Sequence, residues 1–99
     1  MDYTLIYTKP AAQDLEQIVR YIAQDNPRAA EKVGLALVTL AESLTAMPHR
    51  GARVRDRGGV FKVVLPPYIV LYRVDEDRRQ VRIQRFWDAR RDPKSLRTE

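Results

Sequence analysis

The feature that most limits what this chain can fold into is a change of hydrophobic period at Pro48. Upstream, Ala11, Leu15, Ile18 and Ile22 recur at spacings of three and four, as do Ala30, Val33, Leu37, Leu40, Leu44 and Met47. Such spacing puts apolar side chains on one face of a helix. Downstream the spacing becomes two: Phe61, Val63 and Leu65, then Tyr68, Val70, Tyr72 and Val74, then Val81 and Ile83. That is the period of half-buried strands. The chain has 99 residues, enough for one small core. A helical half and a strand half must therefore share that core, which makes the fold class α+β with a single domain over residues 1–99.

Local signals set the boundaries. Tyr3 to Thr8 is aromatic and β-branched and reads as a strand, and Pro10 suits the first turn of the helix that follows. "QDNP" stops that helix, and Asn26 with Pro27 caps and starts the next. The short connection makes a helical hairpin. Pro48 to Gly59 holds three of the four glycines and four arginines and reads as a loop. Strands are expected at Val60–Leu65, Tyr68–Val74 and Gln80–Trp87, joined as antiparallel hairpins, for an order β-α-α-β-β-β. Arg85 falls where Val81 and Ile83 predict a core residue, a conflict resolved either by a β-bulge that re-aims the side chain or by a strand end that is simply exposed. Phe86 and Trp87 then lie on opposite faces.

Two helices cover one face of such a sheet. Val64, Ile69 and Leu71 fall on the other, where an apolar strip beside basic residues marks a partner site. Charge points the same way. Residues 1–48 carry four basic and six acidic side chains, and residues 49–99 carry fourteen and seven. A basic second half attracts nucleic acid or an acidic protein segment. Cysteine is absent and histidine occurs once, at His49, which removes thiol chemistry and histidine-rich metal sites, so no metal or cofactor is expected. Asp14 and Glu16 stand two apart on a helix and do not face each other, so no paired-carboxylate chemistry is read there. No apolar run is long enough to cross a membrane, and the start of the chain lacks a basic leader, which suits a cytoplasmic protein. Tyr68 and Tyr72 read as packing residues, and Arg50, Arg53, Arg55 and Arg57 as a solvated charge run.

Four segments in this order, "AAQDLEQIVRYIAQDNPRAAEKV", "LTAMPHRGARVR", "YIVLYRVDEDRRQVRIQRFW" and "ARRDP", resemble the RelE/ParE superfamily of toxins from bacterial toxin–antitoxin pairs. The resemblance spans most of the chain. It implies a twisted antiparallel sheet with an α-helical hairpin on one face. It also implies an antitoxin whose C-terminal segment wraps the toxin, giving a hetero-oligomer. Two branches follow. One cleaves mRNA in the ribosomal A site. The ParE-like branch, associated with plasmid stabilisation, inhibits DNA gyrase.

The residues favour the second branch. RelE-like nucleases place lysines and arginines on the open sheet face and a tyrosine near the C-terminus. Lys62 matches the first lysine, and Arg90 or Arg91 could supply the late arginine. The second lysine falls at Val64, the arginine of the next strand falls at Ile69, and no tyrosine follows Tyr72. The expectation is therefore a toxin that acts by binding, not as an enzyme. Lys62, Val64, Ile69, Leu71 and Arg73 would meet the antitoxin. Arg85, Trp87, Arg90, Arg91, Pro93 and Lys94 would meet the target, DNA gyrase. No membrane association and no direct sequence-specific DNA binding are expected. An mRNA endonuclease using Lys62, Arg90 and Arg91, or a non-toxic binding module of the same fold, is the alternative.

Overall fold

The computed structural model describes residues 3–91; Pro93 and Lys94 lie outside the described residues. The order is β1 (Thr4–Tyr7), α1 (Lys9–Ala23), α2 (Pro27–Ser43), β2 (Ala52–Arg53), β3 (Phe61–Leu65), β4 (Tyr68–Asp75) and β5 (Gln80–Asp88). The strands form one sheet in the order β1-β5-β4-β3-β2. Its neighbours pair antiparallel, except that β1 runs parallel to β5. The wholly antiparallel sheet expected from the sequence is thus corrected at one edge. Successive hairpins fix the directions of β3, β4 and β5, whereas β1 is joined to no other strand by a tight turn. It docks at the far edge, and the helical hairpin with β2 returns the chain so that β1 and β5 point the same way. The long loop also contains β2, a strand of two residues that pairs with Phe61 and Lys62.

Thr8 starts α1 and ties it to the sheet. Its hydroxyl accepts from the Ala11 N–H (3.3 Å) and donates to the Ile83 carbonyl (2.8 Å), so cap and strand share one side chain. Asn26 caps α2 through the Ala29 N–H at 3.1 Å, with Pro27 first in the helix, as expected. The helices pack closely where Gly34 faces Val19; a Cβ on Gly34 would lie 3.0 Å from Val19 Cγ2. The seam of α2 stops at Leu44 rather than Met47. The helix ends at Ser43, and Met47, beyond the last turn, is 62% exposed.

The core lies between the hairpin and one sheet face. Leu37, Ala41 and Leu44 meet Phe61, Val70, Tyr72, Val81, Ile83 and Phe86. The Tyr72 hydroxyl is not idle inside it. It donates to the Pro48 carbonyl (2.8 Å) and accepts from the Gly51 N–H (3.0 Å), pinning the start of the long loop, and burial raises its pKa.

Candidate functional site

Of the two readings of Arg85, a bulge or an exposed strand end, the structure has the bulge. Tyr72 pairs with Ile83 but Leu71 pairs with Arg85, leaving Gln84 as the extra residue. The bulge swaps the faces of the last part of β5. Phe86 joins Val70 on the covered side, and Arg85 and Trp87 join Leu71 and Ile69 on the open side.

The open face is a short apolar strip among cations. Val64 lies beside Ile69, and Ile69 beside Trp87. Val64 is 52% exposed and Ile69 half-buried. Leu71, expected to be exposed with them, is 3% exposed, between Lys62 on one neighbour and Arg85 on the other. The strip available to a partner is therefore Val64 and Ile69, with Leu71 as its floor. Trp87 is also nearly covered, at 3%, with the guanidinium carbons of Arg85 and Arg91 at 5.6 and 4.8 Å from its ring centroid. Further along, Arg73 and Arg82 pair across β4 and β5, and Arg73 also donates to the Gly58 carbonyl at 2.7 Å. Two cations side by side repel unless anions or acceptors spread their charge.

The arginines of the last strand are anchored within the fold. Asp14 of α1, 7% exposed, accepts from Arg85 Nε (2.6 Å) and Nη2 (2.9 Å) and from the Phe86 N–H (3.1 Å). β1 ends at Tyr7, opposite Ile83, so β5 beyond Ile83 has a bare edge that this carboxylate seals. The hydrogen bond from Arg85 to Asp14 raises the pKa of Arg85 despite its desolvation. Arg90 binds Asp88 in a fork, Nε to Oδ1 at 2.9 Å and Nη2 to Oδ2 at 2.7 Å. These bonds lower the Asp88 pKa and raise that of Arg90.

A second polar cluster lies at the sheet end. Glu76 accepts from the Tyr3 hydroxyl at 2.6 Å and lies 2.6 Å from His49 Nε2. The Tyr3 hydrogen bond is the main cause of a lowered Glu76 pKa. All of it is solvent-exposed, so it is a surface clasp between the chain start, the long loop and the β4–β5 turn.

Chemically, the open face can bind anions and apolar side chains. General acid–base work needs a group titrating near neutrality. Asp75, at the far end of the face, is taken by the Arg78 N–H at 3.0 Å. Among the described residues no cluster of histidine and carboxylates could hold a metal. No helix among them is long and apolar enough to cross a membrane.

The family model of the ParE toxin of the type II toxin–antitoxin system parDE matches residues 5–93. The chain belongs to this family. The toxin is 39% identical over 74 residues to Toxin RelE2 of Caulobacter vibrioides, covering 71% of this chain and 78% of the relative. Its fold is similar to that in the chromosomal ParDE system from P. aeruginosa, with a TM-score of 0.74, 26% identity, and coverage of 85% and 92%. It is also similar to the toxin–antitoxin complex RelBE2 from Mycobacterium tuberculosis, with a TM-score of 0.68, 29% identity, and coverage of 87% and 96%. The toxin is thus a type II toxin of the RelE/ParE superfamily, and its neighbours in structure include toxin–antitoxin complexes.

Sequence reasoning missed the Asp14–Arg85 link. The signal was there. Asp14 stands on the apolar stripe of α1, three residues after Ala11 and four before Ile18, and Arg85 stands on the apolar stripe of β5.

Proposed function

We propose that this toxin acts in the cytoplasm as a ParE-like inhibitor of DNA gyrase, by binding rather than by chemistry, and that a cognate antitoxin holds it inactive. The observation that carries this reading is the open face itself, where Val64 and Ile69 occupy the positions at which a nuclease needs cations. Placing two apolar side chains there removes preorganised stabilisation of the phosphate, and each missing donor costs about 10²–10³ in rate. Of the other candidates, Arg90 and Arg91 are engaged within the fold, by Asp88 and by the Trp87 ring. Tyr72 turns its hydroxyl into the core. A ribonuclease is the second reading, favoured by the name of the Caulobacter relative and by the cations Lys62, Arg73 and Arg82. Primer extension on transcripts after induction separates the two. The binding toxin leaves transcripts uncut, and codon-phased cuts in translated messages would establish the nuclease.

The antitoxin segment would lay apolar side chains on Val64 and Ile69 and acidic ones against Lys62 and Arg73, the composition of an interface with apolar anchors and a charged rim. An open groove of about 930 Å³ between the hairpin and the β3–β4 turn, lined in part by Ile18, Tyr21, Val33 and Tyr68, gives such a segment room to continue. Ile69→Asp puts a carboxylate in the strip and is expected to weaken antitoxin binding by on the order of 30-fold or more, measured by calorimetry on a variant with unchanged circular dichroism. Leu71 is left out of the test, since its burial confounds binding with folding.

A further inference from the structure

The sheet edge beside α2 is incomplete. The Val54 N–H donates to the Val60 carbonyl at 2.9 Å, so bonded pairs between β2 and β3 fall at Val54–Val60 and, two residues on, at Ala52–Lys62. By the same alternation the backbone N–H and C=O of Val64 point outward, away from β4. The residue that would meet them in the line of β2 is Arg50. It does not, because the Tyr72 hydroxyl holds Pro48 and Gly51 and draws the chain off that line. Val64 is therefore exposed at an edge that no strand covers. Beside this edge runs a groove. Leu35 and Thr39 of α2 line one end and Ala52 and Val64 the other, with Leu40 and Arg50 common to both. Its charged lining is Lys32, Arg50 and Lys62, with no carboxylate. Elsewhere cations are matched, Arg20 with Glu16, Arg85 with Asp14 and Arg90 with Asp88. Among the described residues, none of the three groove cations makes an ion pair.

We infer that an extended, acidic segment of the antitoxin adds to β3 as a short antiparallel strand at Val64 and continues along α2 past Leu40 and Leu35. Bare peptide groups at a sheet edge are matched by another extended peptide, and unpaired cations by carboxylates. The added strand runs antiparallel because one partner residue then makes both bonds to Val64, whereas a parallel rung divides them between two. Carboxylates of the segment would meet Arg50 and Lys62, and an apolar side chain would cover Leu35, which is 66% exposed. The inference rests on the reading of the partner as an antitoxin and is independent of the toxin's target.

The test measures binding of the cognate antitoxin to the full-length toxin by calorimetry, with NMR of the complex in which the two chains are labelled separately. Arg50→Glu and Leu35→Glu should each weaken binding by about threefold to tenfold, the Arg50 loss shrinking as salt is raised. Both residues are exposed and neither lies on the open face, so the variants should hold the fold, which their spectra report directly. Lys9→Glu makes the same charge change on α1, outside the groove, and should weaken binding by less than about twofold. In the complex the Leu65 Hα should show an NOE to an antitoxin Hα, the close contact of the non-hydrogen-bonded pair next to Val64. Unchanged affinity in both groove variants overturns the inference, as does an equal loss for Lys9→Glu or the lack of that NOE. Ile69→Asp keeps the two surfaces apart. Loss there with Arg50→Glu and Leu35→Glu silent retains the open-face strip and removes the strand, and the reverse pattern retains the strand and removes the strip.

Discussion

Replacing Asp14 with alanine is expected to destabilise the toxin by roughly 3–5 kcal/mol, the range seen when one member of a buried ion pair is removed. The side chains of Asp14 and Arg85 are 9% and 15% exposed, so the guanidinium would lose its carboxylate where little water can replace it. The Phe86 N–H, at the edge of β5 past the end of β1, would lose its acceptor as well. Total stabilities of domains this size are about 5–15 kcal/mol, so such a loss takes a large part of the whole. Urea denaturation reads it directly. Removing both charges, as in Asp14→Leu with Arg85→Met, should recover much of the loss, because an apolar pair leaves no stranded charge. A cost below about 1 kcal/mol for Asp14→Ala would mean that the pair behaves like an exposed one and does not hold α1 on β5.

Gly51→Ala is expected to cost roughly 2–4 kcal/mol, from overpacking together with lost hydrogen bonds. A Cβ at position 51 would lie 2.6 Å from Tyr72 Oη and 2.7 Å from the Lys62 carbonyl oxygen. Neither neighbour can yield easily. Tyr72 is fully buried, and Lys62 lies in the middle of the sheet between β2 and β4. The loop must instead lift, breaking the bonds from the Tyr72 hydroxyl to Pro48 and Gly51. Tyr72→Phe loses the same bonds without the clash. Gly51→Ala and Tyr72→Phe together should therefore cost less than their sum, by about 0.5 kcal/mol or more. Strict additivity in denaturation would show that the hydroxyl and the loop are independent.

The large outlines of this fold were legible because they rest on periodicity. The helical stripe from Ala11 to Leu44 and the alternation from Phe61 to Ile83 each depend on many residues agreeing. The bulge at Gln84 was legible through a conflict: Arg85 could not sit on the core face that Ile83 occupies. What stayed hidden depended on two distant residues at once. The direction of β1 is set by which sheet edge it reaches, and no local signal encodes that. The burial of Leu71 comes from its neighbours in the sheet, and its own apolar side chain gave no warning. Asp14 and Arg85 were each read alone, one as a helix carboxylate that does not face Glu16 and one as a target contact. Their opposite charges on two apolar stripes were the sign that they meet.

That meeting also changes what the basic end of the chain can do. Arg85 and Arg90 are held by Asp14 and Asp88, and Arg91 rests against Trp87. They shape the strand end, and Lys62, Arg73 and Arg82 are the cations that lie on the open face itself, Arg73 donating to the Gly58 carbonyl and Arg82 to Gln80. The measurement that tests the central claim most directly is DNA supercoiling by purified gyrase with added toxin, with and without its antitoxin. The account predicts that the toxin blocks supercoiling and that the antitoxin restores it. Full supercoiling at a large excess of toxin, together with cleavage of translated mRNA by the same preparation, would contradict it.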